Sequence, residues 1–220
     1  MPTFVFVSDT HTKHFEIDEK LKSIYEEHPD STVIHCGDIS YRGYPWEVED
    51  FVSWFSGLPF KNKVMISGNH DFLFENQSSL AKEILEKLGS DIHYLQDSGI
   101  EIDGIKIWGS PVTPRFHDWA FNRDEDIQDH WDLIPNDTNI LITHGPVKGI
   151  LDTTIRGGLS VGCPLLRDKI FSDLKDLKIH ACGHIHEAYG LANVGDITFI
   201  NASNATFRYD MENDPIVVKI

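Results

Sequence analysis

The sequence predicts an α/β fold with parallel strand pairs and a second sheet packed on the first. Three observations carry that reading. Short apolar runs alternate with longer amphipathic segments through the first ninety or so residues. Beyond them, strand-like runs come closer together. Asp, His and Asn side chains follow several of the runs directly, as they do at the carboxyl edge of an open α/β sheet.

Taken in order, Thr3–Val7 reads as a strand and Asp18–Glu27 as a helix with Leu21, Ile24 and Tyr25 on one face. Thr32–His35 is a strand, and Pro45–Phe55 a helix with proline in its first turn. Lys63–Ser67 is a strand; Ser78 or Ser79 caps a helix that runs to Leu88 and stops at Gly89. Ile92–Leu95, Ile100–Ile102 and Ile105–Trp108 are short strands, the last two joined by the turn dipeptide Asp103-Gly104. Ser110–Asp129 reads as a long loop, rich in proline and aromatics, leading to a helix near Asp124–Leu133. Ile140–Thr143 and Ile179–Cys182 are strands with a helix near Pro164–Leu174 between them. Ala188–Leu191, Ile197–Asn201 and Ile216–Ile220 complete the strands. With 220 residues and no linker or repeat, residues 1–220 are expected to form one domain.

Composition narrows the function. There are 35 acidic against 19 basic residues, a formal charge of −16, which repels nucleic-acid backbones and acidic membranes. A long nucleic acid is an unsuitable partner, although a local cationic site can still hold a small phosphate ester. No apolar stretch approaches the ~20 residues that cross a bilayer, and the N-terminus lacks a signal-peptide pattern. Cys36, Cys163 and Cys182 match no disulfide or zinc-ribbon spacing. Cys36 and Cys182, each ending an apolar run, read as small buried hydrophobes, which fits a cytoplasmic protein.

Five loops carry the chemistry. They are Asp9-Thr10-His11, Gly37-Asp38 with Arg42-Gly43, Gly68-Asn69-His70-Asp71, His144-Gly145, and Gly183-His184-Ile185-His186, each following a predicted strand. Imidazole, carboxylate and amide oxygen without thiolate suit manganese, iron or zinc in a working site better than structural zinc. A carboxylate can bridge two such ions, and their charge would draw in an anionic ester despite the acidic surface.

In order and spacing these loops resemble the calcineurin-like metallophosphoesterase superfamily, whose pattern is D-x-H, G-D, G-N-H-[DE], H, G-H-x-H. Longer stretches resemble the metallophosphoesterase-domain-containing phosphodiesterases. Among them are Gly109-Ser110-Pro111 with Trp119, Thr143-His144-Gly145-Pro146 and Ile200-Asn201-Ala202-Ser203. The resemblance implies a two-sheet sandwich flanked by helices, in four layers αββα. It implies two divalent ions, manganese first, with iron or zinc as alternatives. Asp9, His11 and His186 would hold one ion, Asn69, His144 and His184 the other, with Asp38 shared. Some relatives have Gly in place of the first His of the last motif; this chain keeps His184. His70 would contact the phosphate or protonate the leaving oxygen, and a hydroxide held between the ions would attack phosphorus in line. The protein-phosphatase branch carries G-D-x-x-D-R-G, and here Tyr41 stands at the second Asp. That leaves open which group orients His70.

The other histidines, His14, His28, His35, His93, His117, His130 and His180, sit in no multi-ligand pattern and read as structural or surface groups. Asn201 and Asn204 read first as turn residues, with support of the site as the second possibility. Arg42, Phe116, Trp119 and Arg156 are the candidates for touching a small phosphate-ester substrate, nucleotides included. For the aromatics, anchoring of their own loop is the competing reading. A phosphodiesterase of small, including cyclic, nucleotide diesters is the expected function. A phosphomonoesterase is the alternative and a silent scaffold of the same fold the third reading. Oligomeric state has no signal in the sequence.

Overall fold

The computed structural model describes residues 1–155 and 157–220. The elements in chain order are β1 (Thr3–Val7), α1 (Asp18–Glu27), β2 (Thr32–His35), α2 (Pro45–Gly57), β3 (Asn62–Met65), α3 (Phe72–Asn76), α4 (Ser78–Leu88) and β4 (Ile92–Tyr94). Then come β5 (Ser98–Ile102), β6 (Ile105–Ser110), β7 (Thr113–Pro114), β8 (Asn122–Arg123), α5 (Ile127–Asp132), β9 (Ile140–Thr143) and α6 (Pro164–Asp173). β10 (Ile179–Cys182), β11 (Gly190–Val194), β12 (Ile197–Asn201) and β13 (Ile216–Lys219) close the chain. Among the described residues no helix is long and apolar enough to cross a membrane.

Two sheets form. One has the order β13-β1-β2-β3-β4, parallel except for β13; the other runs β11-β12-β10-β9-β6-β5, with β12, β10, β9 and β6 parallel. The alternation of strand side chains decides the layers. Val5, Val7, Val33 and Met65 face α1, α2 and α4. Phe4, Phe6, Ile34, Val64 and Ile66 face Ile107, Ile140, Ile142, Ile179 and Ile200 of the second sheet. Leu141 and Phe199, on that sheet's outer face, meet α5 and α6 through Ile127, Trp131, Leu166 and Ile170. The result is the expected αββα sandwich.

Local sequence explains the helix boundaries. Pro45 opens α2, and the Glu47 carboxylate accepts from the Arg42 and Tyr44 N–H groups at 2.9 Å each. Val48, Phe51, Val52 and Phe55 then form its buried stripe. Three expectations need correction. β4 and β13 pair in the first sheet rather than the second, because runs of this kind fix strand character but not sheet membership. The Ser110–Asp129 stretch is not a plain loop: Thr113 and Pro114 pair with Asn122 and Arg123 in a two-stranded parallel ribbon. The short helix α3 intervenes between Asp71 and α4, where the amphipathic period is too brief to register.

Candidate metal centre

All five loops converge. β1, β2 and β3 deliver Asp9, His11, Asp38, Asn69 and His70 from one sheet; β9 and β10 deliver His144, His184 and His186 from the other. The turns are tight enough to force Asp9, His11, Asp38 and His184 to φ between 42° and 69°, a left-handed conformation that Asp and His tolerate better than most residues. Glycines are needed where these side chains pass close to backbone. A Cβ on Gly68 would lie 2.3 Å from Asp38 Oδ1, and one on Gly183 2.1 Å from Asp9 Oδ2. Asp9 also accepts the His184 N–H at 3.0 Å, so a carboxylate from one sheet fixes the histidine loop of the other.

Backbone carbonyls set the imidazole tautomers. Nδ1 of His11, His70, His144 and His186 lies 3.2, 2.9, 2.9 and 3.0 Å from the carbonyls of Ser40, Tyr41, Cys36 and Thr206. A carbonyl only accepts, so each Nδ1 carries the proton and, in the neutral ring, Nε2 presents a lone pair. Those lone pairs converge. His11 Nε2 and His186 Nε2 are 3.2 Å apart, and His186 Nε2 is 3.2 Å from Asp9 Oδ1. His144 Nε2 is 2.9 Å from Asn69 Oδ1 and 3.3 Å from Asp38 Oδ2. Asp38 Oδ2 is the hub, with His11 Nε2 at 3.8 Å and His70 Nε2 at 4.0 Å. Three ligand groups result: Asp9, His11, His186; His11, Asp38, His70; and Asp38, His144, His184, each with ligand atoms within 4.8 Å.

Electrostatics make this a cation-seeking floor. Asp9 and Asp38 are buried, and among the described residues their ion pairs are with imidazoles alone. Burial raises both carboxyls, but the surrounding imidazoles, His186 foremost for Asp9 and His144 for Asp38, hold them below the ordinary range. Burial drives His11 down to about 4 and, with His144 beside it, His184 to about 3. Burial also opposes charge on His144, yet the Asp38 and Asp9 carboxylates carry it up to about 9.

His70 closes one side of the site. The Tyr41 backbone carbonyl orients it, which answers the question raised by a tyrosine at the usual Asp position. The Trp119 ring stacks on it at 4.3 Å between centroids. Asp71 turns away: it accepts from Ile39 and Gly68 N–H and from the Ser40 N–H and hydroxyl, stapling two of the loops. Burial, with Asp38 nearby, raises its carboxyl to about 6. Above the floor is a cleft of about 480 Å³ whose walls include Phe116, Trp119, Ile155, Phe207 and Tyr209. Of the expected substrate contacts, Phe116 and Trp119 line the cleft. Arg42 lies over the Tyr41 ring at 5.6 Å and is not among the lining residues; Arg156 lies outside the described residues.

Sequence reasoning missed Tyr209, whose ring is 4.9 Å from His11 and 5.1 Å from His186, and its neighbour Phe207. No motif marks that turn. Asn201 and Asn204 are supports rather than turn residues. Asn201 Nδ2 donates to Gly183 and Ile185 carbonyls, holding the His184–His186 loop, and Asn204 Oδ1 accepts from Ser8 beside Asp9. None of the other seven histidines joins a ligand group among the described residues. His35 Nδ1 accepts from the Gly37 N–H, so its Nε2 donates to Thr10, between the two ligands of the first loop.

A four-layer sandwich with adjoining His/Asp nests at its strand ends is the frame of a metal-binding protein. The chain belongs to the calcineurin-like phosphoesterase family, whose sequence description matches residues 2–188. It is 35% identical over 238 residues to metallophosphoesterase domain-containing protein 1 of Homo sapiens, spanning 99% of this chain and 70% of that protein. Two crystal structures share the fold. TT1561 of Thermus thermophilus gives a TM-score of 0.64 at 12% identity, over 96% of this chain and 90% of that one. The phosphopantetheinyl hydrolase PptH of Mycobacterium tuberculosis gives 0.61 at 14%, over 94% and 90%. Membership implies divalent metal ions, and the residues fit them. The Nε2 atoms of His11 and His186, 3.2 Å apart, and two buried carboxylates supply the nitrogen and oxygen donors that such an ion takes.

Proposed function

We propose that this chain is a phosphodiesterase that hydrolyses small organic phosphodiesters, nucleotide and cyclic-nucleotide esters among them, with two divalent ions. The observation that carries this is Asp38: its Oδ2 belongs to the nest with His11 and to the nest with His144 and His184. Asp9, His11 and His186 would hold the first ion and Asn69, His144 and His184 the second, with Asp38 common to both. When bound, the ions supply Lewis acidity toward phosphoryl oxygens. Nitrogen and oxygen donors without thiolate favour manganese, with iron or zinc as alternatives.

The remaining steps fall to the chain itself. His70 holds a proton at Nε2 for the departing alkoxide, while the Tyr41 carbonyl steadies Nδ1–H. Trp119 fixes the plane of that ring, and Phe116 with Trp119 offers a flat wall to an aromatic ester group. Three free, buried cysteines favour the cytoplasm, and the charge of −16 favours small substrates over long nucleic acids.

The test is hydrolysis of an aryl phosphodiester beside its monoester with Mn²⁺, in wild type and His70→Ala. The expected outcome is preference for the diester and a fall in kcat of about 10²–10⁴ in the variant. Preference for the monoester would make the protein a phosphatase instead. No turnover of either ester by the metal-loaded protein would revive the scaffold reading.

A further inference from the structure

A second cavity, about 580 Å³, adjoins the cleft and shares Phe116, Thr154 and His184 with it. Phe116 stands edge-on to His184 at 4.9 Å between centroids, so the two rings form the partition between the spaces. The far space differs in character from the metal floor. Its walls include Pro114, Pro146 and Val161, and its charged residues are Arg115 and Lys148. No carboxylate is found among the described residues that line it, in a chain of net charge −16.

Both sides of this space are built before any ligand arrives. Buried Asp152 accepts from the Gly149 and Gly162 N–H groups at 2.9 Å each and from the Ser160 hydroxyl, which fixes the loop carrying Lys148 and Val161. Opposite, Asn122 Nδ2 donates to the Phe116 and His117 carbonyls at 3.1 and 3.0 Å, fixing the loop that carries Phe116. The Lys148 ammonium donates one of its three N–H groups to the neutral Ser160 carbonyl and lies close enough to Asp152 to lower that carboxyl, which leaves further N–H donors to meet an anion.

We infer that this cavity is a subsite for one organic substituent of the phosphate ester: an apolar or aromatic body that carries an anionic group of its own, a carboxylate or a second phosphate. The inference rests on the adjoining floor being where phosphorus reacts. The body would pass Phe116 and bury against Pro114, Pro146 and Val161, and its anion would meet Lys148. A preformed apolar space with one or two placed charges is the usual design of a small-molecule site.

The test is fluorescence titration of the Mn²⁺-loaded protein with carboxynaphthyl phosphate and naphthyl phosphate, with inorganic phosphate as displacing ligand. Wild type is expected to bind the carboxylated ester about tenfold more tightly, the effect of one charge-assisted hydrogen bond. Lys148→Ala should abolish that preference. Val161→Trp, at an exposed position, should weaken both naphthyl esters about tenfold by filling the space and leave inorganic phosphate unchanged. Equal weakening of all three ligands, or no change in any, would overturn the subsite. The readout needs no turnover, so it separates the two ideas. The expected pattern in a protein that cleaves no diester would refute the phosphodiesterase reading alone. Diester cleavage without the pattern would refute the subsite alone.

Discussion

Four imidazoles of the centre owe their tautomer to a backbone carbonyl, those of Ser40, Tyr41, Cys36 and Thr206. The ligand types could be read from the sequence because Asp, His and Asn stand directly after apolar runs. Their partners could not, because every residue supplies a carbonyl. Since the main chain of Tyr41 orients His70, Tyr41→Phe should keep kcat/KM within about threefold of wild type, less than one hydrogen bond's worth. Tyr41→Asp should bring no gain. Steady-state assays of both variants check this. Asn201 is the opposite case, a side chain whose role a strand pattern hides. Asn201→Leu would take one of two donors from each of the Gly183 and Ile185 carbonyls, which keep the Ile185 and Ala188 N–H groups, and would remove the acceptor of the Ser203 N–H. Denaturant unfolding should show a loss of about 3 kcal/mol, and metal analysis reduced occupancy, as the loop bearing His184 and His186 loosens.

Most strands of the two large sheets were legible because their apolar runs are bounded by Gly, Asp and Asn, although the run expected over Ala188–Leu191 lies at Gly190–Val194. Their sheet membership was not, as β4 and β13 demonstrate. The ribbon of β7 and β8 was also hidden, being two residues on each side, too short for any period. β10 carries a further consequence of burial. Its His180 is wholly enclosed, with Nε2 2.8 Å from Thr143 Oγ1, and burial alone lowers it from 6.5 to about 3. Between those values the unfolded chain binds the proton and the folded one does not, so stability is present above pH 6.5 and declines as the pH falls. The loss should reach about 2 kcal/mol between pH 7 and pH 5. His180→Gln, which cannot ionise, should remove about that much of the acid loss in urea titrations and leave the part due to His11, His35 and His184, which burial also lowers.

At the scale of the molecule the centre is a seam. Asp9, His11, Asp38, Asn69 and His70 belong to one sheet and His144, His184 and His186 to the other, so an ion held by both would tie the sheets together. Mn²⁺ at about a hundred times its Kd should add about 2.7 kcal/mol to stability, a rise in Tm of several degrees that a chelator reverses. Thermal scans with and without the ion measure this, and an unchanged Tm would mean that the folded chain does not hold the ion. The same arrangement bears on how the chain is made. The N-terminal sheet's five residues emerge from the ribosome first, yet on the proposed assignment neither nest is whole without a histidine from beyond residue 140. A nascent chain would have only the His11, Asp38 and His70 group until His144, His184 and His186 arrive. On that assignment both nests would be complete once the loops after β9 and β10 have joined the first sheet, before β11, β12 and β13 are needed.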